Sequence, residues 1–168
     1  MPALKILLYP HPLLKTLCRP VDRIDGEIAG LIVDLIDTMR EGPGSVGVAA
    51  PQIGATLRLC VVDVSASRQG RENNHGLLVM VNPEITERAG VAVMREGCMS
   101  VPDYTGDVER ATDITVRFLD GDGNPCEITT SGFEAVAIQH EMDHLDGILF
   151  LDRISSLKTG LFRRKNYR

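Results

Sequence analysis

Two histidines and a glutamate near the C-terminal end of the chain have a spacing that could bind a metal ion. His140, Glu141 and His144 form the pattern His-Glu-x-x-His. On a helix, residues four apart lie on one face, so both imidazoles can bind one ion while the glutamate reaches a nearby water molecule. The chemistry indicated is metal-assisted hydrolysis. So short a pattern also occurs by chance, and a lone inward histidine is more often a hydrogen-bonded core residue.

The neighbouring residues predict a helix from Ser131 to Gly147 that positions this pattern. Ser131 followed by Glu134 has the form of a capping box, which marks a helix start, and Gly147 is a typical stop. A stripe at helical spacing includes both histidines and three apolar residues, Phe133, Val136 and Ala137. Both imidazoles are therefore expected to point inward.

A catalytic metal site needs a third protein ligand, and the sequence leaves several upstream residues open. No glutamate follows Glu141, which excludes the thermolysin arrangement, and Phe150 stands where a metzincin carries its third histidine. The remaining candidates are His11, His75, the four cysteines and an earlier carboxylate. Cys98 is the best of these, because a turn-like segment presents it and a thiolate with two imidazoles suits Zn(II) or Fe(II). Most free cysteines are instead small buried residues.

Helices are predicted towards the two ends of the chain and strands between them. Asp25 is the expected N-cap of a helix that runs to about Arg40. Strands are expected at 57–64, 77–85, 91–94, 113–120 and 126–130, with turns at Asn82-Pro83 and at 120–125. This order predicts an α+β fold with mainly antiparallel sheets packed around a central His-Glu-x-x-His helix, an N-terminal helix and a short C-terminal helix.

The length and composition favour one catalytic domain in a reducing compartment. The chain has 168 residues, and we expect residues 1–168 to form a single domain. The N-terminal apolar run is too short for a signal peptide, and no stretch is long enough to span a bilayer. The four cysteines show no CxxC pairing. We therefore expect a cytoplasmic protein without a membrane or DNA partner.

The charge is unevenly distributed along the sequence. The net charge is −5, but six Lys or Arg residues and no acidic residue follow position 152, so residues 1–152 carry −11. Two interpretations of the basic end stay open, a solvated terminal helix and a contact with RNA or the ribosome.

Three separated segments resemble the signature stretches of the peptide deformylase family, in the family's order. They are VGVAAPQIG at 46–54, GCMS at 97–100 and QHEMDH at 139–144. The similarity extends over nearly the whole chain. It implies removal of the formyl group from N-formylmethionyl nascent peptides, with release of formate. It also implies one divalent metal ion per chain, Fe(II), with Ni(II), Co(II) or Zn(II) as substitutes.

The resemblance assigns roles to individual residues. The implied metal ligands are Cys98, His140 and His144. Glu141 would be the general base, and the Gln52 side chain and the backbone N–H of Met99 would donate to the oxyanion. The implied substrate-binding residues are Val46, Gly47, Met94, Glu96, Phe133, Val136 and Ala137. The sequence departs from the family pattern at Ser45, where glycine is usual, and at Met99, where leucine is usual.

Two other functions remain to be separated from this one. A related metal-dependent hydrolase could cleave ordinary peptide bonds, and a non-catalytic module could hold structural zinc and bind RNA through the basic end. Glu141 favours catalysis, because a structural site has no use for an acid beside its first ligand.

Overall fold

The computed structural model describes residues 5–164, which form two antiparallel sheets and several helices. The helices are α1 (Gly26–Glu41), α2 (Gly132–Leu145), α3 (Phe150–Arg153) and α4 (Leu157–Gly160). Two 3₁₀ segments lie at Pro12–Lys15 and Ala50–Ile53. Among the helices of residues 5–164, none has the length and apolar character of a membrane span.

The strands divide into a larger and a smaller sheet. The five-stranded sheet has the order β1-β2-β3-β6-β7 and the three-stranded sheet the order β4-β5-β8. The strands are β1 (Gly47–Ala49), β2 (Leu59–Val62), β3 (Leu78–Ala89), β4 (Ala92–Cys98), β5 (Val101–Arg110), β6 (Asp113–Leu119), β7 (Pro125–Ser131) and β8 (Leu161–Arg163). Every pairing between these strands is antiparallel. The predicted α+β class with mainly antiparallel sheets is confirmed.

The edge of the larger sheet is buried on both faces, between α1 and α2. Successive strand residues point to opposite sides, so Val61 of β2 packs in a cluster with Leu35 of α1. Cys60, its neighbour, packs in the cluster that contains Ile138 of α2. This double burial explains why β2 reads as a continuous apolar run.

The N-terminal helix begins and ends close to the predicted positions. The Asp25 side chain accepts a hydrogen bond from the backbone N–H of Ile28 at 3.0 Å, which caps α1. The buried positions of α1 follow the helical period and are Ile28, Ile32, Leu35, Thr38 and Met39. The local signals in this segment were sufficient to place the helix.

The predicted capping box at the start of α2 is wrong. The Ser131 side chain makes no capping hydrogen bond and instead accepts one from Nδ2 of Asn73 at 3.0 Å. The Glu134 carboxylate is fully buried and accepts hydrogen bonds from His75 and Thr130. Both predicted partners are thus bound to residues outside the helix.

The predicted turn at Asn82-Pro83 is also wrong, because β3 continues through it. Asn82 has a φ of 52°, and the pairing register with β6 shifts between Val81 and Glu84. The Asn82 side chain bonds both the backbone N–H and the carbonyl of Val21, at 2.8 and 2.9 Å. The residues therefore form a β-bulge anchored to the N-terminal segment.

The basic end of the chain folds back onto the smaller sheet. The short helix α4 matches the predicted C-terminal helix, but β8 then pairs with β5, where Thr105 lies opposite Phe162. Arg153 donates hydrogen bonds to Asp143. A solvated terminal helix alone does not describe this segment, and residues 165–168 lie outside the described part of the chain.

Candidate active site

Cys98, His140 and His144 form the one group of possible metal ligands found among residues 5–164. One ligand atom from each lies within 4.8 Å of the others, and all three side chains are buried. Sγ of Cys98 is 3.5 Å from Nε2 of His144. β4 ends at Cys98, and α2 carries both histidines on one face. One sulfur and two imidazole nitrogens at this separation fit a divalent ion with one coordination position left open.

The two histidines differ in their surroundings. Nδ1 of His140 lies 2.8 Å from Oε1 of Glu96, which orients the ring with Nε2 on the side of the cluster. Burial lowers the pKa of His140, but its contacts with Cys98 and Glu96 outweigh this and raise the pKa above its usual value. Burial lowers the pKa of His144, and the charge of His140 lowers it further. The pKa values of the two histidines therefore shift in opposite directions.

Glu96 is fixed by an ionic network that the sequence did not predict. Arg110 donates to both oxygens of Glu96 at 2.8 Å and to Oδ2 of Asp143 at 2.6 Å, and Asp143 also accepts from Arg153. Burial raises the pKa of Glu96, yet hydrogen bonds from Arg110 and His140 prevail and lower it to about 2. Glu96 is thus an ionised carboxylate that supports His140. Residues two apart on a strand lie on the same face, so the position of Glu96 two residues before Cys98 could have indicated that its carboxylate lies near the possible metal ligands.

Glu141 lies beside the cluster in a confined space. Its side chain is buried, and Oε1 has no hydrogen-bond partner among residues 5–164. Burial raises the pKa of Glu141 to about 7, while the charge of His140 opposes the increase. A Cβ atom on Gly47 would approach Oε2 of Glu141 to 2.7 Å, so the absence of a side chain at Gly47 makes room for the carboxylate. A carboxyl with such a pKa can accept and release a proton near neutral pH.

Gln52 directs its amide nitrogen towards the cluster. Its Oε1 accepts a hydrogen bond from the backbone N–H of Ala49 at 3.0 Å, which fixes the amide orientation. Its Nε2 donates to Oγ of Ser100 at 3.0 Å and lies 3.6 Å from Sγ of Cys98. Gln52 is almost completely buried, so a rigid N–H donor lies beside the possible metal ligands.

A cavity of about 830 Å³ opens over these residues. It contains six of the seven predicted substrate-binding residues, Val46, Gly47, Glu96, Phe133, Val136 and Ala137. Met94 is partly buried on β4 and does not line this cavity. Arg95 and Arg164 also line it, although neither was predicted from the sequence.

The two residues that depart from the family pattern lie close together. A Cβ on Gly42 would meet Cβ of Ser45 at 3.0 Å and would also overlap Sδ of Met99. Oγ of Ser45 donates to the carbonyl of Gly47 at 3.3 Å. The Met99 side chain therefore packs against the loop that contains Ser45, while its backbone directly follows Cys98.

The other histidines have partners away from the cluster. Nδ1 of His11 accepts a hydrogen bond from the backbone N–H of Leu13 at 3.2 Å and caps a 3₁₀ segment. His75 is exposed, and its ring contacts the buried Glu134. Phe150 stacks on His140 with ring centroids 6.3 Å apart. His11 and His75 thus have structural partners away from the possible metal ligands.

Comparisons with known sequences agree with this site. The family model for polypeptide deformylase matches residues 3–160. The peptide deformylase of Thermodesulfovibrio yellowstonii is 44% identical over 98% of this chain and 97% of its own length. Peptide deformylase 2 of Xanthomonas campestris is 45% identical over 98% of this chain and 95% of its own.

Solved structures also resemble the chain. A peptide deformylase from Legionella pneumophila is 42% identical, with a TM-score of 0.84, over 93% of this chain and 88% of that one. The class I type b peptide deformylase from Acinetobacter baumannii with bound Met-Ala-Ser is 36% identical, with a TM-score of 0.82, over 90% of this chain and 98% of that one. The matched residues include the whole Cys-His-His cluster and the helix that carries the glutamate. This chain belongs to the polypeptide deformylase family and is a hydrolase.

Proposed function

We propose that the protein hydrolyses the N-formyl group of N-formylmethionyl nascent peptides and releases formate. The observation that carries this proposal is the buried Cys98, His140 and His144 cluster beside Glu141, at the base of a cavity with an apolar wall. The bound Met-Ala-Ser in the Acinetobacter relative supports a peptide that begins with methionine. The cavity therefore has a place for each part of such a substrate: the cluster for the formyl group and the apolar wall for the methionine side chain.

Cys98, His140 and His144 would hold one divalent metal ion. Family membership favours Fe(II), and Ni(II), Co(II) or Zn(II) are the expected substitutes. A divalent ion in such a site supplies Lewis acidity, which makes hydroxide available near neutral pH. Glu96 would hold the His140 ring in its binding orientation through the hydrogen bond to Nδ1.

Glu141 acts as general base and then as general acid. Its carboxylate accepts a proton from the attacking water, and the protonated group then delivers that proton to the departing amine. One carboxyl can serve both steps, because a pKa of about 7 allows it to take up and to release a proton near neutral pH. Its burial keeps bulk water away during the transfer.

Two N–H groups would stabilise the negative charge that develops on the formyl oxygen. Nε2 of Gln52 already points towards the cluster, and the backbone N–H of Met99 directly follows Cys98 in the chain. Loss of one such donor typically reduces the rate by about 10²–10³. The hydrogen bond from the backbone N–H of Ala49 to Oε1 of Gln52 keeps the amide nitrogen of Gln52 pointed towards the cluster.

The apolar wall would receive the methionine side chain of the substrate. Val136 and Ala137 face the cavity from α2, one turn before His140, and Phe133 lies a further turn away. Val46 lines the cavity from the loop before β1. An unbranched thioether fills an irregular apolar space well, which favours methionine over a shorter side chain.

The test is formate release from formyl-Met-Ala-Ser by protein prepared without oxygen and loaded with Fe(II) or Ni(II). The parent, a Glu141→Ala variant and a Glu72→Ala control, which changes an exposed glutamate, are assayed at equal metal content. Turnover by the parent and control, lost in Glu141→Ala, supports the proposal. Full metal binding without turnover would instead favour another amide hydrolase or a binding module, and normal turnover in Glu141→Ala would remove Glu141 as the base.

We further propose that residues 1–168 act as one cytoplasmic domain and contact the ribosome through the basic end. Lys158 is exposed near that end and suits a phosphate contact. Arg153 is bound to Asp143 and Arg164 lines the cavity, which leaves fewer cations for such a surface. Cosedimentation with ribosomes at increasing salt tests the contact.

A further inference from the structure

The strand β8 brings a cation to the candidate active site. Its antiparallel pairing with β5 places Leu161 opposite Gly106 and Arg163 opposite Tyr104. The backbone N–H of Arg164 then donates to the carbonyl of Asp103 at 2.8 Å, which continues this edge for one more residue. Arg164 lines the cavity. A residue at the C-terminal end of the described chain thus becomes part of the site.

The guanidinium of Arg164 lies against the backbone immediately before Cys98. A Cβ on Gly97 would be 3.4 Å from Cζ of Arg164 and would overlap Nη2. Nε of Arg164 is buried and has no hydrogen-bond partner among residues 5–164. A buried guanidinium N–H without an acceptor is costly, so Arg164 has an unsatisfied donor beside the cavity that it lines.

The other charges of this wall already have partners. Nε of Arg95 donates to Asp107 at 2.9 Å, and its guanidinium lies 3.5 Å from the centre of the Phe162 ring. Glu96 is bound by Arg110 and therefore does not neutralise Arg164. Arg164 forms no ion pair with a carboxylate of residues 5–164, and it lines the cavity.

The position of Arg164 relative to the proposed substrate follows from the two walls of the cavity. With the formyl group at the Cys98 cluster and the methionine side chain against Val136 and Ala137 of α2, the rest of the peptide has a path along the wall of the cavity formed by β4. Gly97 and Arg164 lie on that wall. An extended peptide advances about 3.3–3.6 Å per residue, which brings the second and third residues of the substrate within reach of the guanidinium.

We propose that Arg164 binds an acidic side chain at the second or third position of the formylated peptide and so gives the enzyme a preference for acidic substrates. This inference rests on the proposed function. A guanidinium and a carboxylate form charge-assisted, often bidentate hydrogen bonds, and partial burial protects the pair from solvent. Hydrogen bonds to charged groups correspond to a preference of about tenfold or more in binding.

The test compares kcat and KM of the metal-loaded, full-length protein for formyl-Met-Ala-Ser, formyl-Met-Asp-Ser, formyl-Met-Ala-Asp and formyl-Met-Lys-Ser. The variants are Arg164→Gln and the matched control Arg163→Gln. Arg163 is the last residue of β8 and directly precedes Arg164, but it is exposed and does not line the cavity. The parent should show a lower KM for at least one acidic peptide, by about tenfold, and this difference should diminish at high salt. Arg164→Gln should remove the difference, whereas Arg163→Gln should retain it.

Equal KM values in the parent, an acidic preference that survives Arg164→Gln, or an equal loss in Arg163→Gln would each overturn the inference. Equilibrium binding of the unformylated peptides Met-Asp-Ser, Met-Ala-Asp and Met-Ala-Ser provides a readout that does not need turnover. If no peptide is hydrolysed, the proposed function fails. The binding titration then still decides the role of Arg164, because tighter binding of an acidic peptide by the parent than by Arg164→Gln supports it and equal binding overturns it.

Discussion

Nδ1 of His140 lies 2.8 Å from Oε1 of Glu96, and this contact joins β4 to α2 at the centre of the site. Cys98 ends the same strand, so the contact also sets the separation between the sulfur and the imidazole. A carboxylate behind a ligating histidine fixes the orientation of the ring and raises its basicity as a ligand. The geometry of the cluster therefore depends on a residue that is not itself a proposed ligand.

Glu96 should stabilise the fold at neutral pH and lose this effect in acid. Its pKa falls from 4.5 to about 2 on folding, because hydrogen bonds from Arg110 and His140 outweigh the effect of burial. A depressed folded-state pKa contributes stability above the unfolded value, and the contribution is lost as the pH falls from about 4.5 towards 2. The shift corresponds to about 3 kcal/mol.

Urea unfolding of the chelator-treated parent and of Glu96→Gln, measured from pH 7 down to the lowest pH at which both fold, checks this expectation. The difference in unfolding free energy should decrease as the pH falls below the unfolded pKa of Glu96. If the difference in unfolding free energy stays constant over the whole pH range, the charge of Glu96 does not contribute to the stability of the fold.

Arg110 and Arg153 should contribute very differently to stability, although both bind Asp143. Arg110 is buried between Glu96 and Asp143, and Arg110→Gln would leave both carboxylates without that cation, at a cost of about 3–5 kcal/mol. The Arg153 side chain is 42% exposed, so Arg153→Gln should cost less than about 1 kcal/mol. Thermal unfolding measures both variants. Metal affinity should fall about 10–100-fold in Arg110→Gln alone, and equal effects of the two variants would contradict the network as described.

Ala137→Trp should block the proposed methionine pocket without disturbing the metal site. Ala137 lines the cavity from α2, and a bulky side chain there would occupy the space for the substrate. We expect a higher KM for formyl-Met peptides at unchanged metal content. Ala29→Trp, on the exposed face of α1, is the matched control. Normal kinetics in Ala137→Trp would exclude this wall as the binding pocket.

Glu134 should hold the loop between β2 and β3 against α2. Its buried carboxylate accepts hydrogen bonds from the backbone N–H of His75 at 2.6 Å and from Oγ1 of Thr130 at 2.8 Å, and it contacts Nδ1 of His75 at 2.5 Å. Glu134→Ala should lower the unfolding free energy by about 1–3 kcal/mol, because buried donors lose their acceptor. Amide hydrogen exchange at 65–77 should accelerate.

The exposed Glu72 in the same loop provides the control for that experiment. Glu72→Ala should change neither stability nor exchange. Because Gln69 of this loop lines the cavity, loosening of the loop should also be visible as a higher KM for the formylated peptide. Unchanged exchange in Glu134→Ala would show that other contacts hold the loop.

Features set by neighbouring residues could be predicted from the sequence. Asp25 caps α1 through a residue three positions away, and the helical spacing of His140 and His144 is sufficient to bring them together once α2 forms. Cys98 could be selected as a candidate ligand from its chemistry and its turn-like segment, but its place in the full ligand set and the role of Gln52 came from the family resemblance, because no local rule brings these distant segments together.

Features set by distant residues could not be predicted. Ser131 and Glu134 have the form of a capping box, yet Asn73 and His75 compete for both side chains from another segment of the chain. Asn82 adopts positive φ in a strand because its amide binds the backbone of Val21. The strand β5 escaped detection because its sequence contains proline, glycine and acidic residues instead of an apolar alternation.

The close approach of Gly47 to Glu141 has a consequence for how this site can evolve. Every other amino acid carries a Cβ, which would occupy space that the carboxylate already fills. Selection for new substrates therefore has no single-step route through this position. A library of cavity variants should keep Gly47 and place its diversity at Val46 and Phe133, whose side chains face the open volume.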